Sequence, residues 1–146
     1  MIVLSEADTF GGLLLLLQRA THATLETIGA ELSGLSMSGS EINVLANLAD
    51  GDARTVSQLA TAIGSRPSTM TGVLDRLEQR GLVGRTASAE DRRAVSIALT
   101  PGGSEVAAHI HEIFSKVERT ALAELKSETI AALRVGLAAF AEISHE

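Results

Sequence analysis

The chain has 146 residues, with 12 Lys and Arg, 18 Asp and Glu, no Cys and a formal net charge of −6. That length fits one domain with a full core, and the missing Cys excludes disulfides, thiolate chemistry and Cys-ligated metal. Aromatic residues are 2%, three Phe with no Trp or Tyr, which excludes an aromatic cage or a stacking platform for single strands; at first reading the acidic total also argues against a nucleic-acid partner.

In chain order, Asp8 is placed to cap a first helix reaching about Ser33, with apolar residues at Phe10, Leu14, Leu17, Leu25, Ile28 and Leu32. Within it Leu13 to Leu17 is apolar all round, so more than one face must be covered. Ser38-Gly39-Ser40-Glu41 has the capping-box form and opens a second helix through Ile42, Val44, Leu45 and Leu48, ended by the turn Asp50-Gly51-Asp52. Thr55-Val56-Ser57-Gln58 is another capping box; its helix, Val56 to Ile63, is closed by Gly64. Ser65-Arg66-Pro67 opens the next helix, which runs to about Arg80 and stops at Gly81. Two helices joined by a short Gly-containing turn read as a helix-turn-helix.

The period then changes. Leu82 to Thr86 and Ala94 to Leu99 read as short strands, with a polar loop from Ala87 to Arg93 between them: a β-hairpin directly after the helix-turn-helix. Thr100-Pro101-Gly102-Gly103 starts a long helix with the stripe Val106, Ile110, Ile113, Val117 and Ala121. Lys126-Ser127-Glu128 breaks the pattern, and a final helix carries Ile130, Leu133, Leu137 and Phe140. The fold class is mainly α with a small β-hairpin, in a single domain.

The charge is unevenly spread. From Arg54 to Arg93 there are seven Arg and four acids, a net of +3, so the remainder nets −9. Arg suits phosphates and base edges because its planar fork makes bidentate hydrogen bonds. On the helix from 66 to 80, Met70, Val73, Leu74 and Leu77 gather on one side as core. The opposite side presents Ser68, Gly72, Asp75 and Gln79, flanked by Thr69, Thr71 and Arg76. Small polar residues permit close backbone approach to a duplex, and Thr offers a hydroxyl and a methyl to phosphate and thymine. Arg66 stands at the helix N-terminus, where recognition helices meet base edges. Asp75 fits this face only as the partner of an Arg. Thr55 and Ser57 open the first helix of the pair, whose N-terminal N–H groups suit a phosphate. The candidate DNA-contacting residues are Arg54, Thr55, Ser57, Arg66, Pro67, Ser68, Thr69, Thr71, Gly72, Arg76, Arg85, Arg92 and Arg93. Arg92 and Arg93 lie at the hairpin tip and suit a narrow minor groove, with Asp91 orienting one of them.

The run LDRLEQRGLVGRTASAEDRRAVSIALTPGG, Leu74 to Gly103, resembles the recognition-helix end, wing and following helix start of the MarR (multiple antibiotic resistance regulator) family. Asp91-Arg92-Arg93 matches that family's aspartate-x-arginine wing element, and Thr100-Pro101-Gly102-Gly103 its threonine-proline-x-glycine element. The resemblance implies a winged-helix homodimer on a pseudo-palindromic operator, with Arg93 entering the minor groove, Asp91 supporting it and Arg92 on phosphate. It also implies a DNA-binding lobe over 36–100 between dimerisation helices over 1–35 and 101–146. Many members carry a basic residue where this chain has Gly72.

The terminal helices fit that account. Phe10, Leu13, Leu14 and Leu17, with Ile130, Leu133, Leu137 and Phe140, exceed what a small winged-helix core covers, and joining them across a two-fold axis buries both sets. Such symmetry places two recognition helices in successive major grooves, roughly 34–36 Å apart. The family also implies a small amphipathic or aromatic effector in a cleft drawing on Phe10, Leu14, His22 and the 106–117 region. No metal or cofactor is expected, because His109 and His111 point about 200° apart on a helix and do not chelate one ion. The start of the chain, with Glu6 and Asp8 and no basic stretch, does not read as a secretory signal. Its longest apolar run is far below the roughly 20 residues of a membrane span, so the expected location is the cytoplasm, away from membranes. The leading reading is a ligand-responsive transcriptional repressor; the alternative is a winged-helix module for protein–protein contact without DNA binding. An enzyme is disfavoured, since there is no Cys, no His/Glu cluster at ligand spacing and no Gly-rich phosphate loop.

Overall fold

A computed structural model describes residues 12–87 and 94–143. The first helix, α1, spans Leu13–Glu31 with Gly12 at its N-cap; the expected cap Asp8 lies outside the described residues. A 3₁₀ turn, Ser33–Leu35, follows. Then come α2 (Gly39–Leu48), β1 (Arg54–Thr55), α3 (Val56–Ile63), α4 (Pro67–Gln79), β2 (Val83–Ala87), β3 (Val95–Leu99), α5 (Pro101–Leu122) and α6 (Ser127–Ala141).

Local chemistry explains most of these boundaries. Thr55 and Gln58 form the complete capping box, each side chain bonding the other's backbone N–H at 3.2 and 2.9 Å. Pro67 opens α4, where its missing N–H costs nothing. Past the end of α4, Gly81 takes φ +71°, and its N–H and that of Leu82 return to the carbonyls of Glu78 and Leu77 at 2.9 and 3.0 Å. This Schellman closure turns the chain sharply into β2. Thr100 caps α5 by accepting from the Gly103 N–H at 3.0 Å.

One expectation is corrected and another is extended. The box at Ser38 is half formed: Ser38 Oγ accepts from the Glu41 N–H, but the Glu41 carboxylate turns inward and accepts from the Ser38 hydroxyl instead of its N–H. The expected β2–β3 pairing is present and gains a third strand. Arg54 and Thr55 add a short antiparallel strand beside Ile97 and Ser96, giving a three-stranded sheet in the order β1-β3-β2. A two-residue strand has no period of its own and forms only because β3 offers it a free edge.

The core lies where α2, α3, α4, β3 and α5 meet. Val44, Leu45 and Leu48 of α2, Leu59 of α3, Met70, Val73, Leu74 and Leu77 of α4, Ile97 of β3 and Ile110 of α5 are all buried. α4 thus buries the face expected of it. By contrast, no residue of α1 or α6 is buried in the single chain.

Candidate nucleic-acid interface

α3 and α4 pack together as a helix-turn-helix through Gly64, whose φ of +66° closes α3. α4 buries one side, so its other side faces outward by necessity. Arg66, Pro67, Ser68, Thr69 and Thr71 are all exposed at its N-terminal half, and Gly72 is half-buried. The Thr71 hydroxyl donates back to the Pro67 carbonyl at 3.3 Å. Ser57 is exposed on α3 and Thr55 is half-buried; both polar groups of Thr55 are engaged in its capping box.

Four of the seven arginines of this segment are tied into the fold. Arg54 makes a fork on Asp50, at 2.9 and 2.6 Å. That fork and the Asp52 N–H hold the Asp50 carboxyl well below the usual carboxylate range. Arg76 donates to Glu41 at 3.2 Å. Arg80 caps the carbonyls of Leu35 and Ser36 at 2.9 and 3.3 Å. Arg85 links β2 to Asp75 and Glu78 of α4, which is the ion-pair role expected for Asp75. Arg66 has no acidic partner among the described residues. Asp91, Arg92 and Arg93 lie outside the described residues.

Glu41 is the residue that sequence reasoning missed. It is 6% exposed, and its helix-start position disguised it as a capping partner. The only available signal was the pair Arg76 and Arg80, spaced to share one acid across a turn.

Two apolar features flank the lobe. A cleft of about 680 Å³ opens between α1, α2 and α5, lined by Thr21, Leu25, Ile28, Met37, Ile42 and Phe114 among others. Phe114 comes from the expected 106–117 region. Leu14 and His22, expected here, are not among the lining residues, because α1 turns its Thr21–Leu25–Ile28 face to the lobe; Phe10 is outside the described residues. Further along, Leu13, Leu17, Leu133, Leu137 and Phe140 meet in one apolar groove between α1 and α6. Leu14 stands beside it, exposed, and Ile130 is half-buried on α6. His109 and His111 are exposed, and no group of three or more metal-ligating side chains occurs among the described residues.

A helix-turn-helix with an outward face of small polar residues, followed at once by a β-hairpin on the same core, defines a winged-helix protein. Residues 37–95 match the model of the MarR family. The uncharacterized HTH-type transcriptional regulator YfiV of Bacillus subtilis is 37% identical over 83 residues, which is 57% of this chain and 52% of that one. The HTH-type transcriptional repressor MdtR of the same organism is 38% identical over 63 residues, 43% of this chain and 41% of that one. The matches therefore span about half the length of these relatives or less. The crystal structure of NadR in complex with 4-hydroxyphenylacetate superposes with a TM-score of 0.84 at 24% identity, covering 99% of this chain and 100% of that one. That likeness gives the fold of the whole chain, terminal helices included.

Proposed function

We propose that the protein is a sequence-specific double-stranded DNA-binding regulator of transcription, acting as a homodimeric repressor on a pseudo-palindromic operator. The observation that carries this reading is the exposed N-terminal half of α4, Arg66 to Thr71, on a lobe that matches the MarR family. In this reading α4 enters the major groove, with Arg66, Pro67, Ser68, Thr69, Thr71 and Gly72 close to the bases and Arg76 on the phosphate backbone. Thr55 and Ser57 stand against phosphate at the start of α3. Arg92 and Arg93 reach the minor groove, supported by Asp91. Arg54 and Arg85 act on DNA chiefly by holding the wing and its neighbouring turn in place, since each is committed to carboxylates.

The apolar groove of α1 and α6 supports the homodimer: exposed leucines on both helices leave a surface that a second copy covers by two-fold symmetry. The cleft under α1 supports a small amphipathic or aromatic effector, as NadR binds 4-hydroxyphenylacetate in its crystal structure. Because the cleft shares α2 with the DNA lobe, an occupant there biases the pose of α4. The proposed action on DNA supports a cytoplasmic location.

The internal pairing of Arg54, Arg76, Arg80 and Arg85 favours a second reading, a winged-helix module for protein contact, because it leaves fewer cations for phosphate. Genomic footprinting combined with a salt titration decides between them. A DNA reader protects discrete palindromic sites, and its affinity falls steeply with salt. A protein-contact module binds no duplex even at low salt.

A further inference from the structure

Arg76 and Gly72 are one turn apart on α4, and the arginine runs back over the glycine. A Cβ placed on Gly72 would stand 3.5 Å from Arg76 Nη1. The same guanidinium donates from Nε to Glu41 Oε1 at 3.2 Å. Glu41 belongs to α2 and is the buried charged residue of the described core. Its carboxylate also accepts from the Ser38 hydroxyl at 3.0 Å and faces Arg80 Nη1 at 4.0 Å.

Burying a carboxylate is costly unless it is paired and hydrogen-bonded, and here Ser38, Arg76 and Arg80 meet that need. The need itself uses only one of the five N–H donors of Arg76. Its side chain remains 54% exposed. One edge of the guanidinium is therefore fixed from inside, while the terminal nitrogens lie on the outer surface of α4 over a residue with no side chain.

We propose that Glu41 is a positioning residue for the DNA-reading surface: it fixes Arg76 through Nε, and Gly72 leaves open the space from which the terminal nitrogens meet a duplex phosphate. The proposal rests on the duplex-binding reading above. A guanidinium clamped at one edge loses less rotamer freedom on binding, so its phosphate contact is stronger than that of a free arginine. Glu41 thereby acts on DNA without touching it.

The test titrates the full chain with a mixed-sequence linear duplex between about 50 and about 200 mM salt. Arg76→Gln should flatten the plot of log affinity against log salt by about one unit per protomer. Glu41→Gln, which keeps size and an acceptor, should produce most of that flattening, and adding it to Arg76→Gln should change nothing further. Gly72→Leu should give the same loss with Glu41 intact, by filling the space under Nη1, and it carries the test if the Glu41 variant fails to fold. A parental slope in Arg76→Gln overturns the proposal, as does a Glu41→Gln effect that simply adds to that of Arg76→Gln. A parent that binds no duplex at low salt overturns the underlying reading instead, and the proposal with it.

Discussion

Arg85 on β2 donates from Nε to the Glu78 carboxylate on α4 at 2.7 Å. Its Nη2 bonds Asp75 three residues earlier on the same helix. One side chain therefore fastens β2 to α4 and offsets one of the two negative charges there. All three groups are partly exposed, so the pairs add little to stability, about 1 kcal/mol or less. Their value lies in geometry and charge.

Arg85→Ala should accordingly weaken duplex binding clearly while moving the denaturation midpoint little. Restoring neutrality with Asp75→Asn and Glu78→Gln in the same chain should recover part of the affinity. Parallel binding titrations and urea melts of the three variants check this, and an unchanged affinity in Arg85→Ala would show the clamp to be irrelevant to DNA.

Gly103 is buried in the first turn of α5, against the backbone of Leu82. A Cβ there would lie within bonding distance of the Leu82 carbonyl oxygen, so backbone has to move. Gly103→Ala should therefore cost about 3 kcal/mol or more. Gly102→Ala, whose Cβ meets the Gly81 oxygen at 3.8 Å, should be tolerated. Equal denaturation midpoints for the two variants would contradict the contact.

Leu17 and Leu137 both line the groove between α1 and α6. Leu17→Glu or Leu137→Glu should dissociate the homodimer, because a charge has no partner in an apolar interface. Sedimentation should show monomers, and operator binding should be lost with the second half-site. A folded monomer that still binds operator tightly would remove the interface from this surface.

If Arg93 reaches the minor groove as proposed, Arg93→Ala should weaken operator binding by about 1–3 kcal/mol, most strongly at sites with narrow minor grooves. Footprinting titrations of parent and variant measure it. A variant as tight as the parent would take the wing tip out of the minor groove.

Asp50 titrates below its ordinary range, first because Arg54 bonds it and then because the Asp52 N–H does. A depressed folded-state pKa means that its stabilisation is present above the ordinary aspartate range and lost as pH falls towards the folded value. Asp50→Asn should thus lower the melting temperature slightly at neutral pH, and the gap to the parent should close in strong acid. A gap that persists in strong acid would assign the loss to something other than the ion pair. The pair is solvent-exposed, so the gap should also shrink with salt.

Much of the fold was legible in the chain. The period of three and four marks the buried face of α4, Met70, Val73, Leu74 and Leu77, because a helix on a core must bury one stripe. Thr55, Gly64, Pro67, Gly81 and Thr100 mark element ends because caps and left-handed turns have short-range chemistry. The two-residue strand β1 was not legible, since its hydrogen bonds belong to β3, some forty residues away. The residues of α1 that line the cleft, Thr21, Leu25 and Ile28 among them, were not legible either, because the rotation of α1 is set by what it packs against.

The charge shows the same division. Sequence alone located a segment of +3 within a chain of −6 and singled out its arginines. It also placed the small polar residues of α4 on an outward face, since that follows from helix geometry. Which arginines are tied into the fold was decided by tertiary structure. Arg54, Arg76, Arg80 and Arg85 find Asp50, Glu41, backbone carbonyls, Asp75 and Glu78 only once the elements have packed. Helical period is carried by near neighbours, whereas ion pairs depend on which distant side chains the core brings within a few ångströms.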